Sequence, residues 1–186
     1  MKLIAITGSI GCGKTTIAKI VREQGYTVFD VDAWVRRMYF QKFFIAQIAE
    51  VFPSVVENGA VNKRELRNIV FNDAKQLKKL ESLTHPFLWK YLKYVIKKNS
   101  KYDECFFIDV ALLYELKLDK FCDFVIVADV DYEIQKKRVM KRDNLSENDA
   151  KAKIKRVETE RKNHCKHFSN REWGATSTYD LTLNSS

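Results

Sequence analysis

A glycine-rich stretch near the start of this 186-residue chain, from Gly8 to Thr15, reads GSIGCGKT. It matches G-x-x-x-x-G-K-[ST], a glycine-rich loop whose backbone N–H groups hold phosphates. Residues 2–7 form a short apolar run typical of a buried strand, and residues 16–21 begin a helical pattern. Strand, loop and helix therefore occur in the order that the motif requires. The sequence predicts binding of a nucleoside triphosphate.

Each residue type in this loop has a chemical reason. Glycines tolerate positive φ and let the backbone approach a phosphate, and the N–H groups at the start of the following helix attract anions. Lys14 is predicted to reach the β- and γ-phosphates and the Thr15 hydroxyl to ligate Mg²⁺. Thr16 either contacts the α-phosphate or packs in the first helical turn, and the geometry of that turn leaves both open. The predicted nucleotide-binding residues are Gly8, Ser9, Ile10, Gly11, Cys12, Gly13, Lys14, Thr15 and Thr16.

Composition and charge limit the class of protein. The chain has 33 Lys and Arg residues against 24 Asp and Glu, a net charge of +9 that suits polyanionic partners without distinguishing among them. The first apolar run stops at Gly8, unlike a signal peptide, and no apolar stretch approaches the ~18 residues of a membrane span. The four cysteines show no C-x-x-C spacing, which favours reduced thiols. We expect a cytoplasmic protein, monomeric or weakly homo-oligomeric, with no nucleic-acid or membrane partner.

Strand-like and helix-like segments alternate along the chain. Strands are predicted at 2–7, 26–30, 105–109, 123–128 and 179–183, and helices at 14–24, 33–51, 63–72, 74–99 (interrupted at His85-Pro86), 131–142 and 147–166. This alternation predicts an α/β fold with a five-stranded parallel sheet flanked by helices. The helical insert after the second strand is too long for a simple crossover. It predicts a lobe where a second substrate binds.

Carboxylates follow the second and third predicted strands. Asp30 and Asp32 end the second strand and Asp109 ends the third. Because ligands of open α/β sheets bind beyond the strand C-termini, these carboxylates should face the same crevice as the phosphate loop. Asp32 is the favoured general base for an attacking hydroxyl, Asp30 a supporting group, and Asp109 a Mg²⁺ ligand. The alternatives are helix caps for Asp30 and Asp32 and a turn role for Asp109.

Two arginines are spaced to lie on one helix face. Arg138 and Arg142 stand four residues apart, three and seven residues after Gln135. Arginines from a mobile segment can bind a γ-phosphoryl group and its developing charge. The alternative for any such pair is a solvated basic face.

Taken together, these segments resemble the dephospho-coenzyme A kinase family over about residues 1–160. The opening ITGSIGCGKTT is similar to the family's strand and phosphate loop. The segment Asp30-Val31-Asp32, followed by Arg36, is similar to the family's D-A-D-x-x-x-R motif. Residues 59–71, the pair His85-Pro86 and the segment DVALLYE at 109–115 are similar to further family motifs. Gln135 with Arg138 and Arg142 matches its lid pattern. Ala111 stands where the family has proline.

The resemblance implies ATP- and Mg²⁺-dependent phosphorylation of the 3′-hydroxyl of dephospho-coenzyme A, the last step of coenzyme A synthesis. It implies one kinase domain over residues 1–186, with a core at 1–32, 86–130 and 161–186, an acceptor-binding insert at 33–85 and a lid at 131–160. The catalytic residues would be Asp32, Lys14, Arg138 and Arg142, and the metal ligands Thr15 and Asp109. The acceptor-binding residues would be Asp30, Arg36, His85, Asp109 and Leu113.

Two other functions remain as alternatives. A nucleoside monophosphate kinase, such as a cytidylate kinase, would share the phosphate loop and the lid, and residues 179–184 resemble the last strand of such proteins. A basic RNA-binding module is the non-enzymatic alternative. Its weakness is that the basic residues are spread along the chain and no RNA-binding aromatic motif accompanies them.

Overall fold

The computed structural model describes residues 1–99, 104–169, 172–175 and 178–186. The strands are β1 (Lys2–Gly8), β2 (Thr27–Asp30), β3 (Val56–Glu57), β4 (Ala60–Val61), β5 (Cys105–Asp109), β6 (Phe124–Asp129) and β7 (Leu181–Asn184). The helices are α1 (Lys14–Glu23), α2 (Val31–Met38), α3 (Lys42–Val51), α4 (Lys63–Asn72), α5 (Ala74–Asn99), α6 (Tyr132–Asp143) and α7 (Glu147–Ser169). Two compact units result, one of residues 1–31 and 99–186 and one of residues 32–98.

The first unit is built on a parallel sheet of five strands in the order β2-β5-β1-β6-β7. The three inner strands are rich in β-branched and aromatic residues, and their buried side chains include Ala5, Ile6, Phe106, Ile108, Val125 and Val127. Such continuous apolar runs are typical of strands covered on both faces. The predicted five-stranded parallel sheet is confirmed.

The register of these strands gathers the polar residues at one edge. Asp30 at the end of β2 lies opposite Asp109 at the end of β5, and Ile6 of β1 also pairs with Asp109. The glycine-rich loop leaves β1 two residues later. All these strand ends point the same way because the strands are parallel. The loop and two of the predicted carboxylates therefore meet at the carboxyl edge of the sheet.

Helices α6 and α7 form a small core of their own. The Asp131 carboxylate accepts a hydrogen bond from Glu133 N at 2.8 Å and so caps α6. Val139, Ala150 and Ile154 are buried together, and Ile10 of the loop packs against them. The two helices thereby bring their basic side chains near the loop.

The second unit has its own apolar core, formed by Met38, Phe44, Ile48, Phe52, Val55, Leu66 and Val70. Strands β3 and β4 form a short antiparallel hairpin in which Val56 pairs with Val61. This hairpin is absent from the sequence prediction. The role of residues 33–85 as an acceptor lobe stays a prediction.

Two helix predictions in this unit are wrong in detail. The helix expected over 33–51 is divided into α2 and α3, because Gln41 has an extended backbone (φ −82°, ψ 126°). The break lets Phe44 bury completely with its ring edge-on to Tyr39. Helix α5, expected to break at His85-Pro86, continues through Pro86. Pro86 removes one helical hydrogen bond, but Leu80, Leu83 and Phe87 on either side pack against the same core.

Within the described ranges, no helix is long and apolar enough to cross a membrane.

Candidate active site

The phosphate loop joins β1 to α1 in a conformation that its glycines permit. Gly11 and Gly13 have φ of +74° and +86°, and Gly13 caps α1 in the left-handed region. The Gly13 carbonyl accepts hydrogen bonds from the N–H groups of Thr16 and Ile17 at 2.9 and 3.0 Å. The Thr15 and Thr16 side chains are exposed on the first turn of the helix. This arrangement suits an anion at the helix N-terminus.

An ion pair between Lys14 Nζ and an Asp109 carboxylate oxygen stands next to the loop. The two side chains are only 15% and 5% exposed. Attraction between opposite charges strengthens as water is excluded, so the pair fixes both groups at the carboxyl edge of the sheet. The structure thus brings together Lys14, Asp109 and, by strand register, Asp30.

Helix α6 holds the loop from outside. Gln135 Nε2 donates to the Ile10 carbonyl at 2.9 Å. The Arg138 guanidinium donates to the Ser185 hydroxyl at 2.8 Å and to the Ser185 carbonyl at 2.6 Å. Arg138, predicted to bind phosphate, is therefore engaged by Ser185 in this conformation. Ser185 itself was not predicted, because a serine after a strand carries no distinctive signal in the sequence.

A cleft of about 550 Å³ lies over the loop. Its basic residues are Lys14, Arg138, Arg142 and Arg161, and its other lining residues are Gly8, Ser9, Ile10, Gly11, Gly13, Thr15, Thr16, Ala111 and Val157. A cavity with backbone N–H groups on one wall and guanidinium groups on another can hold a polyphosphate. Arg161 was not among the predicted residues, because nothing in the sequence distinguishes it from the other basic residues of α7.

Arg142 is paired with its neighbour. Its Nε lies 2.8 Å from Asp143 Oδ1, and Lys153 lies 3.1 Å from Asp143 Oδ2. A hydrogen bond from Arg142, and to a smaller extent one from Lys153, holds the pKa of the Asp143 carboxyl well below its usual range. Arg142 uses its Nε and NH2 groups in this pair and also lines the cleft, and its predicted contact with phosphate stays a prediction.

The surroundings of the Cys12 thiol inside the loop make it a poor nucleophile. It is 2% exposed and donates to the Ser9 carbonyl at 2.8 Å. Burial raises the pKa of this thiol, and the nearby Lys14 and Arg161 cations oppose the rise without cancelling it. A thiol kept protonated is a poor nucleophile, so Cys12 is a packing residue of the loop.

The remaining predicted residues lie in different settings. Asp32 stands in the first turn of α2, which begins at Val31, so Asp30 occupies the position just before the helix. Arg36 is exposed one turn later in α2, and His85 is half-buried in α5. Leu113 is fully buried, whereas its neighbour Leu112 is 43% exposed. The contact of Leu113 with an acceptor, like the roles of Asp32, Arg36 and His85, stays a prediction.

Comparisons with known proteins point to one family. The family model described as dephospho-CoA kinase matches residues 2–169. The dephospho-CoA kinase of Bartonella henselae is 38% identical over 148 residues, which are 79% of this chain and 76% of that protein. The dephospho-CoA kinase of Fusobacterium nucleatum is 34% identical over 155 residues, or 82% of this chain and 79% of that one.

Solved structures share the fold. TT1252 from Thermus thermophilus superposes with a TM-score of 0.80 at 26% identity, covering 100% of this chain and 88% of that one. Dephospho-CoA kinase from Campylobacter jejuni gives a TM-score of 0.67 at 23% identity, covering 100% of this chain and 89% of that one.

The match to the family model includes the loop, Asp30, Asp32, Asp109 and the arginines of α6 and α7. It stops before β7 and Ser185.

Proposed function

The chain belongs to the dephospho-CoA kinase family, and on that premise we propose that it transfers the γ-phosphoryl group of ATP to the 3′-hydroxyl of dephospho-coenzyme A, giving coenzyme A and ADP. The observation that carries the proposal is the Lys14–Asp109 ion pair beside the phosphate loop, at the foot of an arginine-lined cleft. A triphosphate held there would have its terminal phosphate next to a cation and a carboxylate. These are the groups that phosphoryl transfer needs.

The donor half of the reaction belongs to the first unit. The N–H groups of the loop would hold the phosphates, and Lys14 would bind the β- and γ-phosphate oxygens. Arg138 and Arg142 would add charge from α6, with the segment 131–160 acting as a lid that excludes water. Their guanidinium groups now contact Ser185 and Asp143, and these contacts would be exchanged for phosphate oxygens. Ser9, Ile10, Cys12 and Thr16 would complete the nucleotide site.

A Mg²⁺ ion is the proposed cofactor. Thr15 and Asp109 would hold it, with Asp30 beside them. The donor set fits, because a hydroxyl and carboxylates are the oxygen ligands that Mg²⁺ prefers, and the Thr15 side chain is exposed on the first turn of α1. When bound, the ion would neutralise charge on the β- and γ-phosphates.

The acceptor half is assigned to Asp32, Arg36 and His85, with Leu113 from the segment after β5. Asp32 would accept the proton of the 3′-hydroxyl while the oxygen of that hydroxyl forms a bond to the γ-phosphorus. The bond from that phosphorus to the bridging oxygen breaks, and ADP leaves. Arg36 and His85 would position the acceptor on the insert at 33–85. We further propose a cytoplasmic location and a monomeric or weakly homo-oligomeric state.

An acceptor panel tests the function. Purified protein with ATP and Mg²⁺ is given dephospho-coenzyme A, CMP or no acceptor, and ADP release is followed by a coupled assay. We expect ADP only with dephospho-coenzyme A, together with a product heavier by one phosphate in mass spectrometry. Turnover with CMP but not with dephospho-coenzyme A would make the protein a nucleoside monophosphate kinase instead.

A further inference from the structure

Arg161 of α7 reaches across the cleft to the segment that follows β5. Its NH1 donates to the Ala111 carbonyl oxygen at 2.5 Å. Ala111 comes two residues after Asp109, whose carboxylate pairs with Lys14. Arg161 therefore lines the wall of the cleft close to the predicted position of the terminal phosphate.

We propose that Arg161 is a third arginine of the donor site, which contacts the γ-phosphoryl group of bound ATP, and that Trp173 is the positioning residue that holds it there. The inference deepens the proposed function and rests on its donor site.

The aromatic ring of Trp173 orients the guanidinium. The Arg161 Cζ lies 5.2 Å from the Trp173 ring centroid, a distance at which a cation is attracted to the ring face. A guanidinium stacks on such a face while its edge N–H groups remain available to ligands. Trp173 thus restricts the plane of the group without using its hydrogen-bond donors.

Trp173 is itself fixed from two sides. Its Nε1 donates to Glu158 Oε2 at 2.8 Å. The rings of Tyr114 and Tyr179 meet it edge-on, with centroids 6.5 and 6.1 Å away. Tyr114 is 1% exposed, so this ring cluster is anchored in the core of the first unit. A side chain held on such a support loses little conformational entropy when it binds a ligand.

The charge of Arg161 is available to the cleft. Among the described residues, its guanidinium forms no ion pair with a carboxylate, whereas Arg142 is paired with Asp143 and Arg138 contacts Ser185. A guanidinium has five N–H donors, and the bond to Ala111 uses one. The positive charge of Arg161 also lowers the pKa of the Cys12 thiol, so the guanidinium lies near the phosphate loop. Arg161 can therefore offer further N–H donors to a phosphoryl group while it keeps its bond to the Ala111 carbonyl.

Nucleotide binding tests the inference separately from the identity of the acceptor. Titration calorimetry would compare ADP with AMP-PNP, which carries a third phosphoryl group, on the full chain with Mg²⁺. We expect Arg161→Gln to lower the affinity for AMP-PNP about 10- to 100-fold and the affinity for ADP less than about 3-fold. A charge-assisted hydrogen bond to a phosphate changes an affinity by about that larger factor. Arg156→Gln is the matched control, because Arg156 is exposed on the same helix and pairs with Glu160. It should change neither affinity.

Trp173→Phe tests the positioning role. It keeps an aromatic face but removes the bond to Glu158, so the ratio of AMP-PNP to ADP affinity should fall about 3-fold, towards that of Arg161→Gln. A purely structural role would instead lower both affinities together. If Arg161→Gln does not fold, Arg161→Lys replaces it, and it should still lose affinity for AMP-PNP because an ammonium lacks the planar fork.

The outcomes are distinct. Equal losses for ADP and AMP-PNP, or an unchanged AMP-PNP affinity in a folded Arg161 variant, would overturn the assignment of Arg161. A wild-type protein that binds neither nucleotide would overturn the proposed function itself.

Discussion

The hydroxyl of Ser185 donates a hydrogen bond to the carbonyl oxygen of Cys12 at 2.8 Å, joining the residue after β7 to the middle of the phosphate loop. The same hydroxyl oxygen accepts a hydrogen bond from Arg138, and the Ser185 N–H donates to the Asp129 carbonyl at 2.9 Å. The loop, the end of β6 and helix α6 therefore meet at one serine. Ser185 also fills the space above Gly13.

That contact predicts a difference between two glycines. Gly13 and Gly25 have nearly equal φ, +86° and +90°, but a Cβ at Gly13 would lie 2.7 Å from Ser185 Oγ, whereas one at Gly25 would meet nothing within 4 Å. Gly25→Ala should cost about 1 kcal/mol of unfolding free energy for the left-handed backbone alone. Gly13→Ala should lower the free energy of unfolding by roughly 1–3 kcal/mol more than Gly25→Ala, because the new Cβ crowds Ser185. Urea denaturation measures both, and equal losses would show that Ser185 does not constrain the loop.

A second prediction concerns the ion pair of Lys14 and Asp109. Lys14→Met should abolish turnover and also destabilise the fold by about 3 kcal/mol, because it removes a cation from beside a carboxylate only 5% exposed. The double variant Lys14→Met/Asp109→Asn should recover much of that stability while remaining inactive. Thermal and urea unfolding of the single and double variants check this. No recovery in the double variant would show that the loss in Lys14→Met does not come from an uncompensated Asp109 carboxylate.

A third prediction separates the two carboxylates that flank Val31. Asp32→Asn should lower kcat about 10²- to 10⁴-fold, the range for loss of a general base, with little change in the affinity for AMP-PNP. Asp30→Asn is the control for a nearby charge, and its effect on kcat should be smaller. Steady-state kinetics with dephospho-coenzyme A measures both. A larger loss in Asp30→Asn would reverse the assignment of the base.

A fourth prediction follows from the burial of Cys12. Because burial raises the pKa of this thiol, its thiolate fraction at pH 8 is below that of a cysteine in the unfolded chain. Iodoacetamide should label Cys12 at least about 10-fold more slowly in the native protein than in urea, as read by peptide mass spectrometry. Because the pKa of Cys12 is higher in the folded than in the unfolded protein, the protonated thiol contributes fully to the free energy of unfolding below the unfolded pKa of about 8.5. This contribution is progressively lost as the pH rises above that value. Rapid native labelling would contradict this account of the loop.

Local patterns in the sequence predicted most of the fold. The strand, loop and helix around Gly8–Thr15 are defined by neighbours in the chain, and the five apolar strands by their composition. The hairpin of β3 and β4 was missed because two-residue strands are too short to show alternation. A signal was present, since Asn58-Gly59 between them has positive φ at both residues, as in the two-residue turns that favour Asn-Gly. The break after Met38 has no such signal.

The candidate site divides in the same way. The placement of Lys14, Asp30 and Asp109 at the carboxyl edge of the sheet could be predicted, because a phosphate loop and strand-ending carboxylates are short motifs, whereas the roles of Thr15 and Asp32 stay predictions. The contacts of Ser185 and Arg161 could not be predicted, because each is made with a partner far away in the chain. Ser185 contacts Cys12 at a separation of 173 residues, and Arg161 contacts Ala111 at a separation of 50.

Neighbouring residues along the chain were enough to predict the glycine-rich loop, the parallel sheet and a lysine next to the loop, since glycine φ preferences, apolar runs and motif spacing are local properties. The partners of the charged groups depend on the packed fold: Lys14 with Asp109, Arg138 with Ser185, and Arg161 with Ala111 and Trp173. Strand order and helix packing set which residues meet at the sheet edge. A guanidinium or ammonium pairs with whichever acceptor the packed strands and helices bring within reach, and no local pattern encodes that distance.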